Sequence, residues 1–251
     1  MQQDKMHVDV VGADKDPVMM VHGLGGTSSM WWPQVMALRD THKIILPELP
    51  GAGRSPLNGP QSIEAMVAKL VGLLDALRIE RVTLIGHSMG SLLVQHIAAA
   101  YPERVIRSVL IGPTKAPADA RRSVLRDRAQ KVRIEGMGPI AEVLMSSAIS
   151  AHSRERLPVV AALVRETLLR QSPEGYAQTC EAVSSSTDAP WDQIVCPMLL
   201  LAGEFDDVRP TADFLASKIK GSVLEVIAQT GHWLSVEQPD HVNRHVTAFV
   251  G

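Results

Sequence analysis

The run Arg81-Val82-Thr83-Leu84-Ile85 is short, apolar and rich in β-branched residues. It leads directly into Gly86-His87-Ser88-Met89-Gly90 and then into a helix-length segment that stops before Pro102. Few folds accept that order. A strand that turns at once into a helix, here from about Ser88 to Tyr101, holds the intervening serine on a tight turn at the strand's carboxyl end. Side chains on either side would collide there, and glycines two before and two after relieve the crowding. The turn lifts the Ser88 hydroxyl above the strand and sets it beside the first N–H groups of the helix. A Gly-x-Ser-x-Gly pentapeptide arises by chance in many proteins. The strand–turn–helix context is what gives this one weight.

The same rhythm runs through most of the chain. Residues 7–11, 17–21, 43–46, 105–111, 198–202 and 223–227 read as further strands, and 31–38 and 62–78 as helices. Ser62 is placed to cap the second helix, with Ile63, Met66, Val67, Leu70, Leu73, Leu74 and Leu77 on one face. Pro210 opens a helix to about residue 220, and Pro239 opens a terminal one. Short apolar runs alternating with helices predict an α/β protein, a mostly parallel sheet covered on both faces. From about 113 to 190 the strands stop, leaving helical stretches punctuated by Pro117, Gly136, Gly138, Pro158 and Pro173. The expected organisation is therefore a core of residues 1–112 and 191–251, interrupted by a helical cap of residues 113–190.

Composition narrows the partners. A net charge of −2 gives no polyanion-binding surface, so nucleic acid is not expected. No apolar run approaches the roughly 20 residues of a membrane span, so no membrane is expected. The opening Met1-Gln2-Gln3-Asp4-Lys5 lacks the apolar stretch of a secretory signal, and Cys180 and Cys196 carry no sign of pairing. A cytoplasmic location is the default. No His-Glu-x-x-His or clustered Cys/His spacing points to a metal. The glycine loop Gly23-Leu24-Gly25-Gly26-Thr27-Ser28 lacks the last glycine of a dinucleotide fingerprint, and Gly51-Ala52-Gly53-Arg54-Ser55-Pro56 has proline there. No cofactor is expected.

A serine hydroxyl is a weak nucleophile and needs a base within hydrogen-bond reach. On a turn of this kind the partners follow in the order serine, acid, histidine. His232, in Gly231-His232-Trp233, falls in the loop after the last strand, whereas His241 and His245 fall inside the terminal helix and His96 in the helix after Ser88. The acid should end a strand between the two. Gly203-Glu204-Phe205-Asp206-Asp207 supplies three carboxylates; Asp206 is favoured, with Asp207 left as the alternative and Glu204 assigned to the loop. The oxyanion of a tetrahedral intermediate needs preorganised donors. The N–H of Met89, just after the nucleophile, is one, and the N–H of Leu24 in the loop His22-Gly23-Leu24-Gly25-Gly26 is the other. His22 is expected to fix that loop. Gly23, His87 and Trp233, beside these groups in sequence, are assigned to substrate contact.

These residues resemble the α/β-hydrolase superfamily over nearly the whole chain. The resemblance rests on Val21-His22-Gly23, on Leu49-Pro50-Gly51-Ala52-Gly53-Arg54-Ser55, on Gly86-His87-Ser88-Met89-Gly90, on Gly203 through Pro210, and on Gly231-His232. Members usually carry aspartate where Glu48 stands, a structural position. Within the superfamily, Met30-Trp31-Trp32-Pro33-Gln34 and Pro173-Glu174-Gly175-Tyr176-Ala177 look most like the 3-oxoadipate enol-lactonase and esterase group. The resemblance implies hydrolysis of a small-molecule ester or lactone through an acyl-enzyme, under a small helical cap. Carbon–carbon bond hydrolysis of a diketone, or ligand reception on the same fold, are the alternatives. Epoxide and haloalkane chemistry is disfavoured, because relatives performing it place aspartate where Ser88 stands. A homodimer is left open. Arg121, Arg122, Arg126, Arg128, Lys131 and Arg133 make the early cap basic, chiefly as a solvated face, with one inward arginine for a substrate carboxylate as the other reading. Met137, Leu144, Met145, Leu163, Leu168 and Trp191 are expected to include the apolar pocket wall.

Overall fold

The structure, a computed structural model, describes residues 6–251. Residues 1–5, read above for the lack of a signal, lie outside the described residues. The strands are β1 (Val8–Gly12), β2 (Pro17–Val21), β3 (Lys43–Pro47), β4 (Val82–His87), β5 (Val105–Ile111), β6 (Met198–Gly203) and β7 (Val223–Ile227). They form one sheet in the order β1-β3-β2-β4-β5-β6-β7, with β1 antiparallel to β3 and every other pair parallel. Of the helices, α1 (Trp32–Leu38), α2 (Ile63–Ala76) and α3 (Met89–Ala100) come early in the chain. After β5 come α4 (Asp119–Glu135), α5 (Gly138–Ser147), α6 (Ala151–Arg156), α7 (Pro158–Leu169) and α8 (Pro173–Ser185). The last three are α9 (Arg209–Lys218), α10 (Leu234–Glu237) and α11 (Pro239–Val250).

The strands read as unbroken apolar runs because both sheet faces are covered. Alternation sends Met19, Val21, Ile45, Leu84, Leu110 and Leu200 to one face, packed against α2, α3 and α9. Val18, Met20, Ile44, Ile85, Val109 and Leu201 go to the other, against α1 and α11. Ser62 caps α2 by accepting from the Ala65 N–H at 3.1 Å. That helix ends at Ala76, two residues before the expected stop, because Arg78 adopts a left-handed φ of 56°. The expected helix over 31–38 begins one residue later, after a short 3₁₀ turn (Ser28–Trp31). The four-residue α10 lacks the length for a periodic signal and was not expected.

Between β5 and β6 the chain makes five helices, α4 to α8, and no strand among the described residues. No described helix is long and apolar enough to cross a membrane.

Candidate active site

β4 carries Gly86 and His87 to the carboxyl edge of the sheet, and the chain reverses at Ser88 with φ 54° and ψ −121°. A residue with a side chain rarely occupies that region. A Cβ at Gly86 would collide with the carbonyl of Gly90, and one at Gly90 with the carbonyl of Val21, so the turn closes only with glycine at both positions. Hydrogen bonds hold the strained residue from both sides. The Ser88 N–H donates to the Ile111 carbonyl at 2.9 Å. Its own carbonyl accepts from the Ser91 N–H at 2.8 Å, the Ser91 hydroxyl at 2.6 Å and the Thr114 hydroxyl at 3.0 Å. Strain of this kind persists only where the surroundings over-determine it.

Two and three strands further along the chain, the loop after β6 brings in Asp206 and the loop after β7 brings in His232. Asp206 Oδ2 lies 2.8 Å from His232 Nδ1, and Asp206 Oδ1 accepts from the Val208 N–H at 3.0 Å. Burial pushes the Asp206 carboxyl up, but the His232 charge and these hydrogen bonds outweigh it and leave it below the ordinary carboxylate value. Burial likewise opposes the charged form of His232, yet Asp206 holds its pKa above the ordinary imidazole value. Asp207 and Glu204 are exposed, and Glu204 accepts from the Gln229 N–H, tying the two loops together.

Ser88 and His232 both converge on the end of β5. Ser88 is bonded to Ile111, and His232 Nδ1 stands 3.1 Å from where a Cβ on Gly112 would be. With Nδ1 on Asp206, the free ring nitrogen is Nε2. Neither it nor Ser88 Oγ makes a hydrogen bond among the described residues; such bonds are often long until a substrate is bound.

The loop after β2 closes the third side. A Cβ on Gly23 would stand 2.8 Å from Ser88 Cβ, so this backbone lies directly against the serine. His22 fixes it as expected. Its Nε2 accepts from the Leu49 N–H at 3.0 Å, which leaves Nδ1–H to donate to the Gly23 carbonyl at 2.9 Å. Burial depresses its pKa and keeps the ring neutral. Met89 opens α3, so its N–H has no intrahelical acceptor, and the Leu24 N–H donates to no backbone carbonyl among the described residues. Gln171, just after α7, donates to the Gly25 carbonyl at 3.2 Å, and Leu168 and Tyr176 pack on Gly25. Glu48 holds the neighbouring turn, accepting from the Arg54 N–H, the Arg54 guanidinium and the Ser28 hydroxyl.

His87 and Trp233 occupy other places than the expected substrate surface. Both are buried, and their ring centroids lie 5.4 Å apart with the planes tilted by 45°. His87 Nε2–H donates to the His232 carbonyl at 2.8 Å, and burial drives its pKa down to about 3. Of the six residues expected to include the pocket wall, Leu163 is 40% exposed, and Trp191 packs edge-on against Phe214 and donates to Gln95. Among the basic residues of α4, Arg133 is engaged by Glu174 and Glu181, and Arg122 by the Ser184 and Ser186 carbonyls. Gln171, Thr114 and Glu237 also bear on this region, beyond the residues expected from the sequence. Glu237 did carry a signal, as the only charged residue in the apolar stretch between His232 and Pro239.

A family model described as "Alpha/beta hydrolase family" matches residues 18–244. The 3-oxoadipate enol-lactonase 2 of Acinetobacter baylyi is 34% identical over 242 residues, spanning 95% of this chain and 90% of that protein. The enol-lactonase of Burkholderia xenovorans LB400 superposes with a TM-score of 0.92 at 29% identity, covering 98% of this chain and 96% of that one. An esterase from Thermogutta terrifontis, solved with malate bound, also gives 0.92, at 28% identity over 98% and 92% of the two chains.

Proposed function

This chain belongs to the alpha/beta hydrolase family, and from that premise we propose that it hydrolyses a carboxylic ester or lactone through Ser88, His232 and Asp206. The observation that carries the reading is the strained Ser88 turn set at the same sheet edge as the Asp206–His232 pair. Strain at a serine is useful where its hydroxyl must be presented, and a histidine held through Nδ1 has Nε2 free to take a proton. The similarity to an enol-lactonase and an esterase supports the substrate class.

In the proposed cycle His232 Nε2 takes the Ser88 proton as Oγ attacks the carbonyl. The carbonyl oxygen becomes an oxyanion facing the N–H groups of Leu24 and Met89. Collapse expels the alcohol, which takes the proton from His232 and, in a lactone, stays attached to the acyl group. Water then gives its proton to His232 and attacks the acyl carbon, releasing the acid and restoring Ser88. Asp206 orients the imidazole and stabilises its charged form throughout. Helices α4 to α8 form the cap, with Leu168, Gln171 and Tyr176 resting on the oxyanion loop.

The test is a panel of p-nitrophenyl esters, lactones and diketones assayed with the wild type and Ser88→Ala. Turnover of esters or lactones that disappears in the variant supports the reading. Cleavage confined to the diketones, or ester hydrolysis that survives in Ser88→Ala, overturns it.

A further inference from the structure

Glu237 is only 1% exposed, and no lysine or arginine forms an ion pair with it among the described residues. A buried carboxylate is tolerated only when hydrogen bonds replace its water. Here backbone supplies them all. The Gly231 N–H donates to both oxygens at 3.0 and 3.1 Å, the Trp233 N–H to Oε1 at 3.1 Å, and the Ser150 N–H to Oε2 at 3.0 Å. Two of these donors are the neighbours of His232 on either side. The third opens α6, in the helical segment between β5 and β6.

The junction is reinforced around it. The His232 N–H donates to the Ala148 carbonyl at 2.8 Å, and the Ser150 hydroxyl donates to the Gln229 carbonyl at 3.0 Å. A Cβ on Gly231 would stand 2.7 Å from the Ser150 nitrogen and 2.8 Å from the Ala148 oxygen, so the two backbones touch with no room for a side chain. We propose that Glu237 is a positioning residue that locks the His232 loop and residues 148–150 of the cap into one unit, so that the imidazole is aimed at Ser88 only while that end of the cap is seated. The proposal rests on the reading of His232 as the base. The charged and titratable groups that bear on His232 are Asp206, Glu237, His87 and Arg121; of these, Asp206 and Glu237 favour the imidazolium, while Arg121 opposes it.

Glu237→Gln keeps the length of the side chain, removes the charge and puts an amide among backbone donors. The His232 imidazole is followed by NMR in histidine-labelled protein, assigned with His232→Gln, and kcat and KM are measured on a p-nitrophenyl ester. The expected result is a downward shift of the His232 titration and a fall in kcat of about 100-fold, the scale of a misplaced catalytic group, with KM moving far less. A folded Glu237→Gln with wild-type titration and wild-type kcat overturns the proposal. Should that variant not fold, Glu237→Asp retains the charge and withdraws it by one methylene; a fall in kcat with the titration kept is expected, and unchanged kcat overturns it. In the wild type, the Gly231, Trp233 and Ser150 amides should exchange with solvent slowly and together, and fast exchange of any one contradicts the lock. Hydrolysis that survives in Ser88→Ala would overturn the proposed reaction instead, on a different variant.

Discussion

Asp206 Oδ2 meets His232 Nδ1 at 2.8 Å, while Asp207, the next residue, is exposed. The turn that makes this choice is local: Asp206 Oδ1 accepts from the Val208 N–H, which draws the first carboxylate inward. Asp206→Asn offers the ring an amide and disturbs its tautomer, so kcat on an ester substrate should fall by about 10⁴-fold. Asp207→Asn should leave it within about 3-fold, the reach of a screened surface charge. Steady-state kinetics on both variants decide, and the reverse ranking would move the acid by one residue.

The activity should depend on pH through His232. In the proposed cycle only neutral imidazole accepts the Ser88 proton, and Asp206 holds the His232 pKa above the ordinary 6.5. A profile of kcat/KM should therefore rise with pH along a limb whose midpoint lies above 6.5. A midpoint at or below that value would show that Asp206 does not stabilise the imidazolium in the free enzyme.

Stability should respond to acid through His87. Its folded pKa is depressed to about 3 by burial, against 6.5 for the ordinary imidazole. The unfolded chain therefore takes up a proton that the folded one refuses, and stability falls as pH drops below 6.5. Between pH 7 and pH 5 this amounts to about 2 kcal/mol. His232, with a raised pKa, acts in the opposite sense in both proteins. His87→Gln retains a donor for the His232 carbonyl but does not titrate, so urea unfolding at the two pH values should show it losing about 2 kcal/mol less than the wild type. Equal losses would place the acid sensitivity elsewhere.

Ser88 bears a backbone conformation that glycine adopts freely. Ser88→Gly should abolish ester hydrolysis and raise the stability by about 1 kcal/mol, or roughly 2–4 °C in Tm for a domain of this size. Calorimetry alongside the ester assay checks both halves. A Tm below that of Ser88→Ala would show that the turn is not strained at this residue.

The sheet was legible because its strands are buried on both faces. An uninterrupted run such as Met198 to Ala202 suits a strand covered on both sides. The place of the candidate site was legible for the same reason, since Ser88, Asp206 and His232 follow the ends of those strands. The helices after β5 were less so. An amphipathic helix shows that one face is covered but not what covers it, so a group such as Leu163, Leu168 and Trp191 does not divide in sequence into pocket wall, core and surface, although Leu163 is exposed and Trp191 packs on Phe214. Glu237 stands out in the sequence as a charge between His232 and Pro239, but its partners are backbone N–H groups, which side-chain pattern does not identify. His87 was read beside Ser88 in sequence, whereas the pleat turns it behind His232.

The helices between β5 and β6 leave and re-enter the sheet at adjacent strands, yet they are also fastened elsewhere, among other places by Ser150 to Glu237 and by Gln171 to the Gly25 carbonyl. Those fastenings limit which replacements the molecule will accept. A segment transplanted from a relative must bring an N–H to the position of Ser150 and an amide to that of Gln171, or the recipient inherits a new pocket over a histidine and a glycine loop that are no longer held. Chimeras that change substrate preference should therefore be sought by varying the residues between the two anchors, with the anchors themselves left in place.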